Sequence, residues 1–173
     1  MADLNFSQPE SEAARMVDEG AESRDSAVDL IELLFFAYRD FTGDPDAVLA
    51  EYGFGRAHHR VLHFVTRNPG LRVSDLLSIL RITKQSLARV LKQLVEEDFI
   101  VQRPGPQDRR ERLLYPTERG RELAGRLTDL QALRIRRALE AMPEDARDVA
   151  RQFLFHMIDA DQRAGVASLI DHG

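Results

Sequence analysis

Cysteine is absent from the 173 residues, which excludes disulfides, thiol catalysis and cysteine-based peroxide sensing. Long hydrophobic runs are absent as well. The most apolar stretch, Leu30 to Tyr38, contains Glu32 and is too short to span a bilayer. No basic segment leads into an apolar one at the N-terminus, so neither a signal peptide nor a membrane partner is expected, and the expected location is cytoplasmic. The sequence offers no glycine-rich phosphate loop and no activated nucleophile, which argues against an enzyme, and no cofactor is expected. It also lacks an overall positive charge: 24 Lys and Arg against 29 Asp and Glu give a net charge of −5.

That balance at first argues against a nucleic-acid partner, but the distribution reverses the argument. Between Arg56 and Thr117 there are 12 basic and 6 acidic residues, leaving 12 basic and 23 acidic elsewhere. A local basic patch is what phosphate contact requires, while an acidic remainder keeps the chain soluble.

The basic stretch is organised around residues 82–117. At about 100° per residue, Leu87, Val90, Leu91 and Leu94 fall within one apolar arc. Gln85, Arg89, Lys92 and Gln93 fall opposite. Thr83 is expected to cap this helix, its hydroxyl accepting from a free N–H of the first turn. Side chains able to read base edges then lie near the helix start: Arg89 suits a two-pronged contact with guanine, and Gln85 one with adenine. Upstream, Leu71-Arg72-Val73 is expected as a short strand, and Ser74 as the cap of a helix from Asp75 to about Leu80. Helix, tight turn and helix make a helix-turn-helix. Downstream, Glu96-Glu97-Asp98 ends the recognition helix, with Asp98 where a left-handed residue is often needed. Strands Phe99–Arg103 and Arg110–Tyr115 flank a turn over Pro104–Asp108. A cationic helix followed by a cationic hairpin fits double-stranded DNA, with the helix in the major groove and the hairpin tip in the minor groove. The expected DNA-contacting set is Thr83, Lys84, Gln85, Ser86, Arg89, Lys92, Gln93, Arg103, Asp108, Arg109 and Arg110. Asp108 is expected to orient the guanidinium of Arg110.

The flanks suggest helices. Residues 1–24 read as a mobile acidic arm. Ser26 suits the cap of a helix from about Ala27 to Phe41, apolar over more than one face, which needs partners on two sides. Thr42-Gly43-Asp44-Pro45 reads as a break, with Asp44 capping a second short helix. A turn over Tyr52–Gly55 leads to a helix from about Arg56 to Arg67, stopped by Asn68-Pro69-Gly70. Thr117 is expected to cap a helix to about Ala141, and a final helix is expected from about Glu144 to Ile170. Two long terminal helices after a small DNA-binding module find their natural use in dimerisation. The domains expected are therefore the arm at 1–24, an N-terminal dimerisation helix and connector at 25–54, the DNA-binding lobe at 55–117 and C-terminal dimerisation helices at 118–173.

Three of the five histidines, His58, His59 and His63, fall in the helix after Gly55. His59 and His63, four apart, share a face, and this is the basis of an alternative reading as a metal-dependent enzyme or metal sensor. No Glu stands beside the first His, as a metalloprotease helix would need, and two nitrogens are too few for a closed site. The bland reading places one or two of these histidines half-buried, hydrogen-bonded to the core or near phosphates.

The helix-turn-helix, the hairpin and the run Asp108-x-Arg110-x5-Pro116-Thr117-x-x-Gly120 resemble the MarR family of winged helix-turn-helix regulators, over roughly residues 27–165. Pro116 stands where that family has Leu, and Asp98 where it has Gly. The resemblance implies a mainly α fold with a small β-wing, a winged helix-turn-helix lobe and N- and C-terminal dimerisation helices. It further implies a homodimer on a pseudo-palindromic DNA operator, with Gln85, Ser86 and Arg89 at base-reading positions and Arg110 as the wing-tip arginine. It implies a repressor released by a small phenolic or other anionic effector. Phe36, Tyr38, Tyr52, His58 and His63 are the residues expected to line the effector's pocket.

Overall fold

The computed structural model describes the backbone of residues 12–171 and the side chains of residues 27–171. Residues 1–11, nearly half of the expected arm, lie outside the described residues. The chain divides into two compact units, Met1–Asp40 and Phe41–Gly173.

Helix α1 runs without interruption from Glu12 to Ala50 and takes in Pro45. The expected break at Thr42–Pro45 and the expected start near Ala27 give way to this one helix. Proline in a helix interior removes one hydrogen bond, to the carbonyl four residues earlier, and costs about 3 kcal/mol. Packing within the second unit offsets that cost: Pro45 and Leu49 are fully buried, and Val48 and Thr42 are buried beside them. Asp44 does not cap a new helix; its carboxylate accepts from Arg134 at 2.8 Å. In the first unit, the apolar residues of α1 stand in solvent, Phe35 at 69% and Leu33 at 61% exposed.

The second unit holds the remaining elements: α2 (Arg56–Arg67), β1 (Leu71–Arg72), α3 (Val73–Leu80), α4 (Lys84–Glu96), β2 (Ile100–Pro104), β3 (Arg112–Pro116), α5 (Glu118–Glu140), α6 (Ala146–His156) and α7 (Arg163–Asp171). The strands form an antiparallel sheet in the order β1-β3-β2, with Leu71 opposite Leu114 and Ile100 opposite Pro116. Its core joins Val61, Leu62 and Val65 of α2, Leu76 and Leu80 of α3, the expected apolar arc of α4, Phe99, Ile100, Leu114, and Leu123 and Leu127 of α5. The fold is the mainly helical winged helix-turn-helix that the sequence suggests.

Two threonines start helices as expected. Thr83 Oγ1 accepts from the Ser86 N–H at 3.1 Å, and Thr117 Oγ1 from the Gly120 N–H at 3.0 Å. Asp98 turns the chain out of α4 at φ 61°, and Thr117 donates its hydroxyl to the Asp98 carbonyl at 2.7 Å. A Cβ on Gly120 would collide with the Phe99 carbonyl oxygen, so the spacing of Thr117 and Gly120 serves both a cap and a close backbone approach.

Elsewhere the expected boundaries move. Helix α3 begins at Val73, with Arg72 as its cap residue, while the Ser74 hydroxyl donates to Asp75. The expected final helix is two, α6 and α7. Arg163 donates to the carbonyls of His156 and Ile158 at 2.7 and 2.9 Å, satisfying the end of α6 that an uninterrupted helix would have satisfied itself.

Candidate nucleic-acid interface

Helix α4 sorts its residues by face. Leu87, Val90, Leu91 and Leu94 are buried; Thr83, Lys84, Gln85, Ser86, Arg89 and Lys92 are exposed. The apolar face is held from behind by α2, which leaves the first two turns of the polar face open to solvent. Lys92 spends part of its charge on Glu96 at 3.7 Å, a surface pair worth little in stability.

Gln93 does not share the fate of its neighbours. Its Oε1 lies 3.0 Å from the His58 Nε2 on α2, and its Nε2 donates to Glu97 Oε1 at 2.9 Å. It was expected to face DNA; in the structure it faces the protein.

The wing joins β2 to β3 across residues 105–111. At its tip the Asp108 Oδ1 accepts from the backbone N–H of Arg110 at 2.8 Å, and the Glu111 N–H donates to the Asp108 carbonyl at 3.1 Å. The expected pairing of the Asp108 carboxylate with the Arg110 guanidinium is not among the ion pairs of the described residues. A carboxylate two residues upstream is close enough to close an Asx-turn on the main chain, and that contact wins. Arg109 and Arg110 are exposed. Arg103 leans its guanidinium over the Tyr115 ring at 4.9 Å, so its stem is guided by the neighbouring strand.

Between α4 and the wing lies an open cleft of about 660 Å³. Leu77, Leu87 and Leu91 contribute to its floor. Five cations line it, Arg72, Lys84, Lys92, Arg110 and Arg112, against two carboxylates, Asp108 and Glu111. Arg72 also pairs with Glu111 at 3.4 Å, tying β1 to the wing. Arg72 and Arg112 were not among the expected DNA contacts. Arg112 follows Arg110 at the two-residue spacing that keeps side chains on one face of a strand, a signal present in the sequence. Arg72 carries no such signal, because only the pairing of β1 with β3 brings it to the cleft.

The five residues expected to line an effector pocket divide between the two units. Phe36 and Tyr38 belong to the first, where both are exposed. Tyr52 and His58, both half-buried, belong to an aromatic cluster. His58 stacks on Phe54 at 4.7 Å, and Phe99 meets Tyr52 and Phe54 edge-on at 5.5 and 5.1 Å. Both ring nitrogens of His58 are engaged, Nδ1 accepting from the Gly55 N–H at 3.1 Å. His63 sits half-buried with its ring against Phe64.

His59 and His63 both have pKa values lowered from the ordinary imidazole value. Burial is the larger cause for each; His63 adds to it at His59, where Asp46 opposes, and Arg67 adds to it at His63. Among the described residues no three His, Asp or Glu side chains gather as a metal site, so the metal alternative gains no support.

The comparisons with known proteins point one way. The MarR family matches residues 52–111. The HTH-type transcriptional regulator PetP of Rhodobacter capsulatus is 45% identical over 141 residues, covering 82% of this chain and 85% of that protein. The crystal structure of MarR aligns with a TM-score of 0.61 at 20% identity, covering 96% of this chain and 99% of the other. That of Streptococcus pneumoniae FabT in complex with DNA aligns at 0.67 with 17% identity, covering 75% and 92%. At such identities the two structures speak for the fold.

Proposed function

The chain belongs to the MarR family and is a transcriptional regulator of that family, and we propose that it binds double-stranded DNA sequence-specifically, with α4 in the major groove and the wing tip in the adjacent minor groove. The observation that carries this reading is the cationic cleft shared by α4 and the wing. A sugar–phosphate strand separates a major groove from the neighbouring minor groove. A protein that enters both must straddle that strand, and Arg72, Lys84, Lys92 and Arg112 would face its phosphates. Thr83, Gln85, Ser86 and Arg89 stand exposed on the same helix to meet base edges. Two of the proteins that share the fold, FabT and Staphylococcus aureus MepR, have been solved with DNA.

The working form is a homodimer on a pseudo-palindromic operator. Its support is apolar surface that a lone chain leaves in water: Leu30, Ile31, Leu33, Leu34 and Phe35 of α1, and Val149, Phe153 and Leu154 of α6. The regulatory part of the reading is repression relieved by a small anionic effector. Family membership supports it.

The test is selection from a random duplex pool, followed by binding titrations over a range of salt. Enrichment of a two-fold-related sequence with a steep salt slope is the expected result. Uniform recovery of the pool would overturn it.

A further inference from the structure

Gln85, Arg89 and Gln93 form one stripe along α4, each four residues from the next. The first two are exposed; the third is bonded to α2. We propose that His58 is a positioning residue for base reading, fixing the rotation and height of the recognition helix through Gln93.

The hydrogen bonds around His58 run in one direction. Gly55 donates its backbone N–H to Nδ1, so the ring hydrogen sits on Nε2 and is donated to Gln93 Oε1. With its oxygen so used, the Gln93 amide donates from nitrogen to Glu97, the residue that ends α4. Phe54, parallel to the imidazole within 6°, fixes the plane in which Nε2 points. The ring is thus held on one face and at Nδ1 before it meets α4.

A second bond shows that α2 grips the whole motif. Arg60, two residues on, donates to the Leu80 carbonyl at 3.1 Å, holding the last turn of α3. Helix α2 therefore holds the first helix of the motif at its end and the second in its last turn, in addition to the apolar packing between them. Apolar contacts resist separation of two helices but resist a small rotation poorly, because they are not directional. A reading side chain must be held within roughly 0.5 Å and 10–20° of its target geometry. A directional bond one turn below Arg89 supplies that restraint.

The inference rests on the DNA-reading proposal above, and the experiment separates the two. The probe is the duplex that the native protein selects from a random pool, set against a scrambled duplex of equal length. His58→Asn keeps an oxygen where Nδ1 accepts from Gly55 but is too short to reach Gln93. His58→Gln extends an amide nitrogen towards Gln93 but gives up the Gly55 bond. His58→Asn is expected to lose about tenfold in the ratio of selected to scrambled affinity, with scrambled binding and its salt slope unchanged. His58→Gln is expected to keep most of that ratio while losing more thermal stability than His58→Asn. Gln93→Ala should match the loss of His58→Asn, and the double variant should lose no more than either. A native ratio in both His58→Asn and Gln93→Ala overturns the inference. So does an equal fall on both duplexes that tracks melting temperature. If the native protein selects no sequence, the DNA-reading proposal itself fails, and this one with it.

Discussion

Asp108 holds Arg110 by its main chain: the carboxylate oxygen takes the Arg110 N–H at 2.8 Å and leaves the guanidinium in solvent. The wing tip is therefore shaped by an acceptor, and the negative charge that comes with it is incidental. An oxygen without charge should serve as well. Asp108→Asn is expected to bind the operator at least as tightly as the native protein, and Asp108→Ala, which opens the turn, more weakly. Arg110→Ala should weaken operator binding by roughly 1–3 kcal/mol and lower the slope of log affinity against log salt by about 1. Melting should barely change, as for most exposed substitutions. Weaker binding by Asp108→Asn would assign the carboxylate a role through its charge.

Arg89 is exposed on the second turn of α4 and sits one turn above the anchored Gln93. Arg89→Ala should relax base preference at one position in each half-site, at a cost of roughly 1–3 kcal/mol on the selected duplex. A fall of equal size on every duplex would make Arg89 a phosphate contact.

Gly120 faces the Phe99 carbonyl with no room for a methyl group. Gly120→Ala must move backbone, since the obstacle is a carbonyl that also accepts from the Thr117 N–H at 3.1 Å. A cost of roughly 1–3 kcal/mol is expected, a fall in melting temperature of several degrees for a chain of this size. An unchanged melting curve would show that the turn yields freely.

Sedimentation at micromolar concentration should give about twice the 19.7 kDa chain mass. Leu30 and Leu34 lie four apart on one face of α1, both exposed in the single chain. The double substitution Leu30→Glu, Leu34→Glu should shift the species towards monomer. A native protein that sediments as a monomer removes the dimer from the reading.

The folded protein keeps His59 and His63 neutral below the ordinary imidazole value of 6.5, chiefly because both are half-buried. Their folded pKa values are lowered, so as pH falls the unfolded chain takes up protons first. Stability is then unaffected by these groups above about 6.5 and declines below it, until the folded groups also charge. Melting temperature should fall as pH drops below about 6.5, and less steeply in His59→Gln, His63→Gln. Equal slopes in the two proteins would mean that other groups carry the dependence.

The recognition helix and the start of α5 were legible because their boundaries are set by short-range bonds. Thr83 and Thr117 cap within three residues, and Asp98 adopts the left-handed turn that its position demanded. The terminal helices were not, because what decides them lies far along the chain. The run Thr42-Gly43-Asp44-Pro45 carries every local mark of a break, yet Pro45 is buried and Asp44 meets Arg134 ninety residues away. Apolar spacing likewise runs straight across the gap between α6 and α7, which Arg163 closes with side-chain bonds invisible to periodicity. In the interface, the polar face of α4 was legible as a face. The inward turn of Gln93 was not, since a glutamine at helical spacing gives no hint that a histidine thirty-five residues earlier will claim it.

Pro45 lies within α1 and carries no N–H, so Phe41, one turn earlier, loses the donor that a helix would ordinarily give its carbonyl. The two compact units divide between Asp40 and Phe41. A rod that transmits torque through parallel struts is most compliant where a strut is missing. At that turn it is the burial of Thr42, Pro45 and Leu49, rather than the helix's own ladder, that holds the chain.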